Sequence, residues 1–134
     1  MSIFIKATDT FKVNFYVADD PTNKAILHVA ADAEAVRTHV PEARVITGQS
    51  ITFRFPNYRD NVAAMDDSID TSTGSFKFHS TALRLHRLAR LTKAWSFTDE
   101  EGNPVPINSE TVGNLNPVLA NYLGEQMEEI IGLL

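Results

Sequence analysis

Ser50-Ile51-Thr52-Phe53-Arg54-Phe55-Pro56 is the stretch on which the reading of this chain turns. Ile51, Phe53 and Phe55 alternate with Thr52 and Arg54. A period of two places the three apolar side chains on one face of a half-buried strand. Pro56 has no N–H to give to a sheet and ends the strand. Before this point the chain keeps the same alternating style. Beyond it, apolar residues recur at intervals of three and four. The reading is an α+β chain: a β-rich part over residues 1–56, built of antiparallel strands, then an α-helical part over residues 57–134. The pattern leaves open whether the two share one core.

Working back from Ser50, Gly48 is expected to break a short apolar run, Arg44-Val45-Ile46. Residues 31–39 are alanine-rich and predict a short helix anchored by Val36 and Val40 and stopped by Pro41. Ala25-Ile26-Leu27-His28-Val29 predicts a strand. Phe11-Lys12-Val13-Asn14-Phe15-Tyr16-Val17 predicts another, followed by a turn at Asp19-Asp20-Pro21. Ile3-Phe4-Ile5 predicts a short strand before it.

Working forward, Pro56 and Asn57 open a helix over residues 58–69 whose apolar members, Tyr58, Val62, Met65 and Ile69, are spaced four, three and four. A polar linker, residues 70–75, follows. Phe76 and Phe78 then alternate as in a brief strand. Ser80 or Thr81 is placed to cap a helix running to about Trp95, with Leu85, Leu88, Leu91 and Trp95 as its packed stripe. Arg84 falls within that stripe, where its long side chain can snorkel. Arg87, Arg90 and Lys93 wind away toward the far side. Asp99-Glu100-Glu101-Gly102-Asn103 predicts a tight turn, and Pro104-Val105-Pro106 a stiff extended return. Asn108 or Ser109 caps a short helix to about Leu115. Asn116-Pro117 starts the last helix, with a cap and a proline in the first turn. On it, Leu119, Tyr122, Leu123, Met127, Ile130, Ile131 and Leu134 share one side, and Glu125, Glu128 and Glu129 lie opposite.

The chain has 134 residues, 12 Lys and Arg against 17 Asp and Glu, and no cysteine. The length suits one domain with a real core. The missing cysteine excludes a disulfide scaffold, a thiol nucleophile and a thiolate zinc site. No apolar run approaches the ~20 residues of a membrane span, and residues 1–12 lack the form of a secretion signal. A soluble intracellular protein is the expectation. Charge is segregated. Residues 1–76 carry a net charge of -3, residues 77–98 carry +5 with no acid, and residues 99–134 carry -7 with no base. A basic band beside an acidic tail suits self-association or docking on a charged partner.

Catalytic patterns are missing. No Gly-x-Ser-x-Gly elbow and no glycine-rich phosphate loop occurs. His28, His39, His79 and His86 are scattered, and His79 with His86 makes only two of the three or four ligands a zinc site needs. Asp66-Asp67-Ser68-Ile69-Asp70 superficially suits oxygen ligation. A calcium loop starting at Asp66 would need Gly and Glu where Thr71 and Lys77 stand. The basic helix lacks interleaved stacking aromatics, so nucleic acid is not the expected partner. No enzyme, metal or cofactor is expected.

The segment Leu91-Thr92-Lys93-Ala94-Trp95-Ser96-Phe97-Thr98-Asp99-Glu100-Glu101-Gly102-Asn103-Pro104-Val105-Pro106, with Asn116-Pro117 and the final amphipathic helix, resembles small structural and assembly proteins of tailed bacteriophages, above all tail assembly chaperones. Ile51–Tyr58 also fits that group. The likeness covers about a third of the chain and rests on turn, cap and anchor residues, which report fold more than role. It implies a non-enzymatic protein that acts in the host cytoplasm by binding tape-measure and tube proteins. The alternative it implies is a virion component of the tail or head–tail region. On this reading the contact residues are Arg84, Arg87, Arg90 and Lys93 on the basic helix, and Glu125, Glu128, Glu129, Ile130, Ile131 and Leu134 on the last helix. Reversing Arg87 and Arg90 to Glu is expected to leave the chain folded.

Overall fold

The computed structural model describes residues 3–23, 25–43, 45–70, 77–78 and 80–132. Residues 71–75 of the expected linker, with Arg44, Phe76, His79 and Leu134, lie outside the described residues. Four antiparallel strands form one sheet in the order β2-β1-β3-β6. They are β1 (Thr10–Asp19), β2 (Leu27–Ala30), β3 (Thr47–Arg54) and β6 (Thr92–Trp95), with the helix α1 (Ala33–His39) between β2 and β3. The stretch that opened the reading is the centre of this sheet. Val13 pairs with Ile51 and Phe11 with Phe53 across β1 and β3, and Ile51 pairs with Trp95 across β3 and β6.

The alternation of β1 serves two cores. Val13 and Phe15 point to the main one, with Ile51 and Phe53 beside them. Ala18 points to the other face, where Val36 and Val40 of α1 close a smaller cluster with Ala43. Asp32 caps α1 by accepting from the Ala35 amide at 2.7 Å.

The helical part comprises α2 (Tyr58–Ser68), α3 (Ser80–Leu91), α4 (Ser109–Gly113) and α5 (Pro117–Ile131), with a two-residue ladder between β4 (Ile69–Asp70) and β5 (Lys77–Phe78). Asn57, Asn108 and Asn116 cap α2, α4 and α5 as expected, each accepting a hydrogen bond from the first turn. The main core joins both parts of the chain. Leu88 and Leu91 of α3, Val112 of α4, and Leu119, Leu123 and Met127 of α5 pack on the inner face of the sheet.

Four local expectations fail. Ile3-Phe4-Ile5 forms no strand and its side chains are exposed. Gly48 does not break β3. It stays in the ladder opposite Tyr16, and a Cβ at this position would lie 3.2 Å from the Tyr16 ring. The glycine makes room for the aromatic rather than bending the chain.

The third failure concerns α3, which stops at Leu91 instead of running to Trp95. Thr92 Oγ1 donates to the Leu88 carbonyl at 2.5 Å, and residues 92–95 turn into the sheet to complete β3. Pairing with β3 overrides local helical pattern. Trp95 is thus a strand residue. Its indole Nε1 donates to the Val105 carbonyl at 2.7 Å, which ties the Pro104-Val105-Pro106 return to the sheet edge.

The fourth is the orientation of α2. Tyr58 is 85% exposed, and Val62 and Met65 are also exposed. The buried face is instead Asp60, Ala64 and Ser68. Small residues on this face let α2 approach α3 closely, and Ser68 satisfies its hydroxyl on the Ala64 carbonyl at 2.6 Å.

Candidate functional site

The four basic residues read as one band meet different fates. Arg84 lies across α5. Its Nε and Nη2 donate to the two oxygens of Glu128 at 2.8 and 2.7 Å, and Nη1 reaches Asn121 Oδ1 at 3.4 Å. The fork geometry matches the carboxylate and raises the Arg84 pKa. Gly124 makes this crossing geometrically allowed. A Cβ there would stand 2.3 Å from Arg84 Cδ and 2.6 Å from Nε.

Arg90 turns the opposite way, toward α2. Its Nε donates to Asp60 Oδ1 at 2.6 Å. Asp60 also accepts two bonds from Arg54 of β3, at 2.5 and 2.9 Å, and one from the Asn57 amide at 3.0 Å. Asp60 is only 4% exposed. Chiefly the Arg54 guanidinium, and then Arg90, holds its carboxyl far below the usual carboxylate range. With four donors on two oxygens, this carboxylate is saturated and is not available as a base.

Arg87 sits between these two pairs and belongs to neither. It is 9% exposed, and its Nε has no acceptor. Burial lowers its pKa, with Glu128 opposing the shift. Lys93 is no longer on the helix; it stands exposed on β6. The expected free basic face is therefore absent among the described residues. A charge reversal at Arg87 and Arg90 would bury an unpaired acid and set a second acid beside Asp60. The chain is therefore not expected to stay folded with both charges reversed.

On α5, Glu125 and Glu129 are exposed, as expected of the polar side, while Glu128 is held by Arg84. Ile131 packs against the core, and Ile130 is 45% exposed at the helix end.

Between α2, α3, α4 and α5 lies a half-open groove with a cavity of about 860 Å³. Met65, Leu85, Leu88, Val112 and Leu115 form apolar parts of its wall, and Arg87 also lines it. Leu85 belongs to the predicted packed stripe of α3, yet it is exposed here. Met65 joins the groove to the outward row of Tyr58 and Val62 on α2. Thr81, Asn121 and the Arg84–Glu128 pair supply the other polar parts of the wall, and a large cavity that joins apolar surface to a few polar groups is the usual form of a binding site.

The remaining candidates are structural. Asp99 Oδ1 accepts from the Glu101 and Asn103 amides, both at 2.9 Å, and Gly102 takes φ 83°, so this acidic run is a surface turn. His28 Nε2 lies 3.2 Å from Asp20 Oδ1, and His39 Nδ1 donates to the Ala35 carbonyl at 2.7 Å. Among the described residues no group of three or more His, Asp or Glu side chains is placed to hold a metal ion. Among the described residues no helix is long and apolar enough to cross a membrane. No protein-family model, curated protein or solved structure matches the chain.

The Arg84 crossing gives a direct test. Gly124→Ala should destabilise the fold by about 1–3 kcal/mol, the range for forcing a methyl into packed space. The substitution displaces Arg84 from Glu128. In Arg84→Ala the stem is gone, so adding Gly124→Ala should cost much less. Urea denaturation of the four proteins in the cycle measures the coupling.

Proposed function

We propose that this protein works by binding other proteins, as a bacteriophage tail assembly protein that engages tape-measure and tube subunits. One observation carries the binding part of this reading. Helix α2 presents Tyr58, Val62 and Met65 outward, and this row runs into an apolar groove. Exposed apolar residues that adjoin one another, rather than lying scattered, mark interaction surfaces. The phage assignment is supported by the resemblance in the C-terminal third. In the fold Asn108, Asn116 and Pro117 start helices and Gly102 makes a turn, while Trp95 lies in a strand and not at a helix end.

Co-expression with phage tape-measure and tube proteins tests the reading. Association at low salt is the expected outcome, and no association with either would overturn it. Tyr58→Asp with Met65→Asp should remove the association. Because both residues are exposed, the stability cost should stay within roughly 0.5 kcal/mol per site.

A second reading, a virion component of the tail or head–tail region, is favoured by the four-stranded sheet, which shares its core with the helices. Mass spectrometry of purified particles separates the two. A chaperone is absent from mature particles and a structural subunit is present.

A further inference from the structure

We infer that the groove between α2, α3, α4 and α5 receives an amphipathic segment of a partner protein, and that one carboxylate of this segment pairs with Arg87. The inference rests on the protein-binding reading and specifies the chemistry of the partner.

Arg87 is about nine-tenths buried, yet its Nε has no acceptor. A buried guanidinium without a partner is costly, and such groups in folded proteins are ordinarily paired. The neighbouring carboxylates are already committed. Glu128 gives both oxygens to Arg84, and Asp60 gives both to Arg54, Arg90 and the Asn57 amide. Residues 77–98 contain no acid that could serve locally. Among the described residues no acid is hydrogen-bonded to Arg87, and an acid carried by a partner would give its buried Nε the missing acceptor.

The wall around Arg87 defines the rest of the occupant. Met65, Leu85, Leu88, Val112 and Leu115 offer apolar contact on several sides. A fully hydrophobic segment would leave Arg87 unpaired, and a highly charged one would leave the wall wet. An acid set among apolar residues satisfies both. The occupant is a polypeptide rather than a small amphiphilic acid because the apolar surface does not end at the cavity. It continues along α2 from Met65 to Tyr58, about 10 Å at the helical rise. A chain lying in the groove can follow that row, as helices do in apolar clefts.

Selection of random peptides of about 16 residues, some four helical turns, on the immobilised full-length protein tests this. The expected binders carry apolar residues at helical spacing around one Glu or Asp, and shift the NMR methyl signals of Leu85, Leu88 and Val112. Replacing that acid by Gln or Asn should weaken binding to the wild-type protein about tenfold or more, as for other buried charge pairs at interfaces. The same replacement should matter little for binding to Arg87→Gln. The peptide-side change uses the unaltered protein, so it remains decisive even if Arg87→Gln folds poorly.

Binders with no required acid, an empty selection, or binders that leave those methyl signals unmoved would each overturn the inference. Dodecanoate moving the same signals where no peptide does would overturn it in favour of a small acid. If Arg87→Gln folds and still associates fully with tape-measure and tube proteins, the groove assignment falls and the proposed function stands.

Discussion

Asp60→Ala should lower the stability of the fold by about 3 kcal/mol, the low end of the range for removing one partner of a buried ion pair. The carboxylate holds three elements together: Arg54 at the end of β3, Arg90 at the end of α3, and the Asn57 amide at the start of α2. Removing it leaves two guanidinium groups facing each other and opens the reciprocal cap of α2. Both arginines keep part of their surface in water, which places the cost at the low end. Asp60→Asn should cost less, because an amide oxygen still accepts from Asn57.

The same carboxylate sets a pH dependence. Its pKa in the folded state lies well below that in the unfolded chain, near 3.9. In acid the unfolded state binds the extra proton, so stability falls as pH drops. The contribution is complete above about pH 5 and is lost progressively below about pH 4. Urea midpoints measured at neutral pH and at successively lower values should fall for the wild type, and should fall less steeply for Asp60→Ala. Equal slopes would show that Asp60 is not the group responsible.

Phe53→Ala should cost about 3–5 kcal/mol, the range for deleting a buried aromatic side chain. Phe53 is fully buried at the middle of the sheet, with its ring centroid 5.4 Å from that of Phe11. For a domain whose whole stability is of order 5–15 kcal/mol, this single change removes a large share. The neighbouring positions cannot refill the space, because β1, β3 and β6 are fixed by their ladders on either side. Chemical denaturation gives the value. A loss below about 1 kcal/mol would mean that the core collapses around the gap.

These two positions were not equally visible in the sequence. Phe53 announces itself by alternation, since Ile51, Phe53 and Phe55 can share a buried face only in a strand. Asp60 shows only as the third residue after Asn57 and gives no hint of Arg54 or Arg90. Its role depends on three elements meeting, and the Arg90 contact spans 30 residues. The groove was hidden for a similar reason. Tyr58, Val62 and Met65 have the spacing of a packed stripe, and periodicity identifies such a stripe without saying what faces it. The stripe turns outward because Asp60, Ala64 and Ser68, on the other side, meet the arginines and α3.

The sequence by itself determined what short-range forces decide. Asn57, Asn108 and Asn116 start helices because each side chain reaches an amide two or three residues ahead. Asp99 and Gly102 make a turn because the carboxylate and a left-handed glycine act within five residues. The α+β division followed from a change in apolar period at Pro56. Tertiary structure alone decided where α3 ends, which way α2 faces, and which arginine finds a partner. A helix and a strand compete for residues 92–95 on nearly equal local terms, and the open hydrogen-bonding edge of β3 breaks the tie. A charge, likewise, takes its meaning from what stands opposite. For Arg84, Arg87 and Arg90 that was set by Gly124, Glu128 and Asp60, brought alongside only when the helices packed.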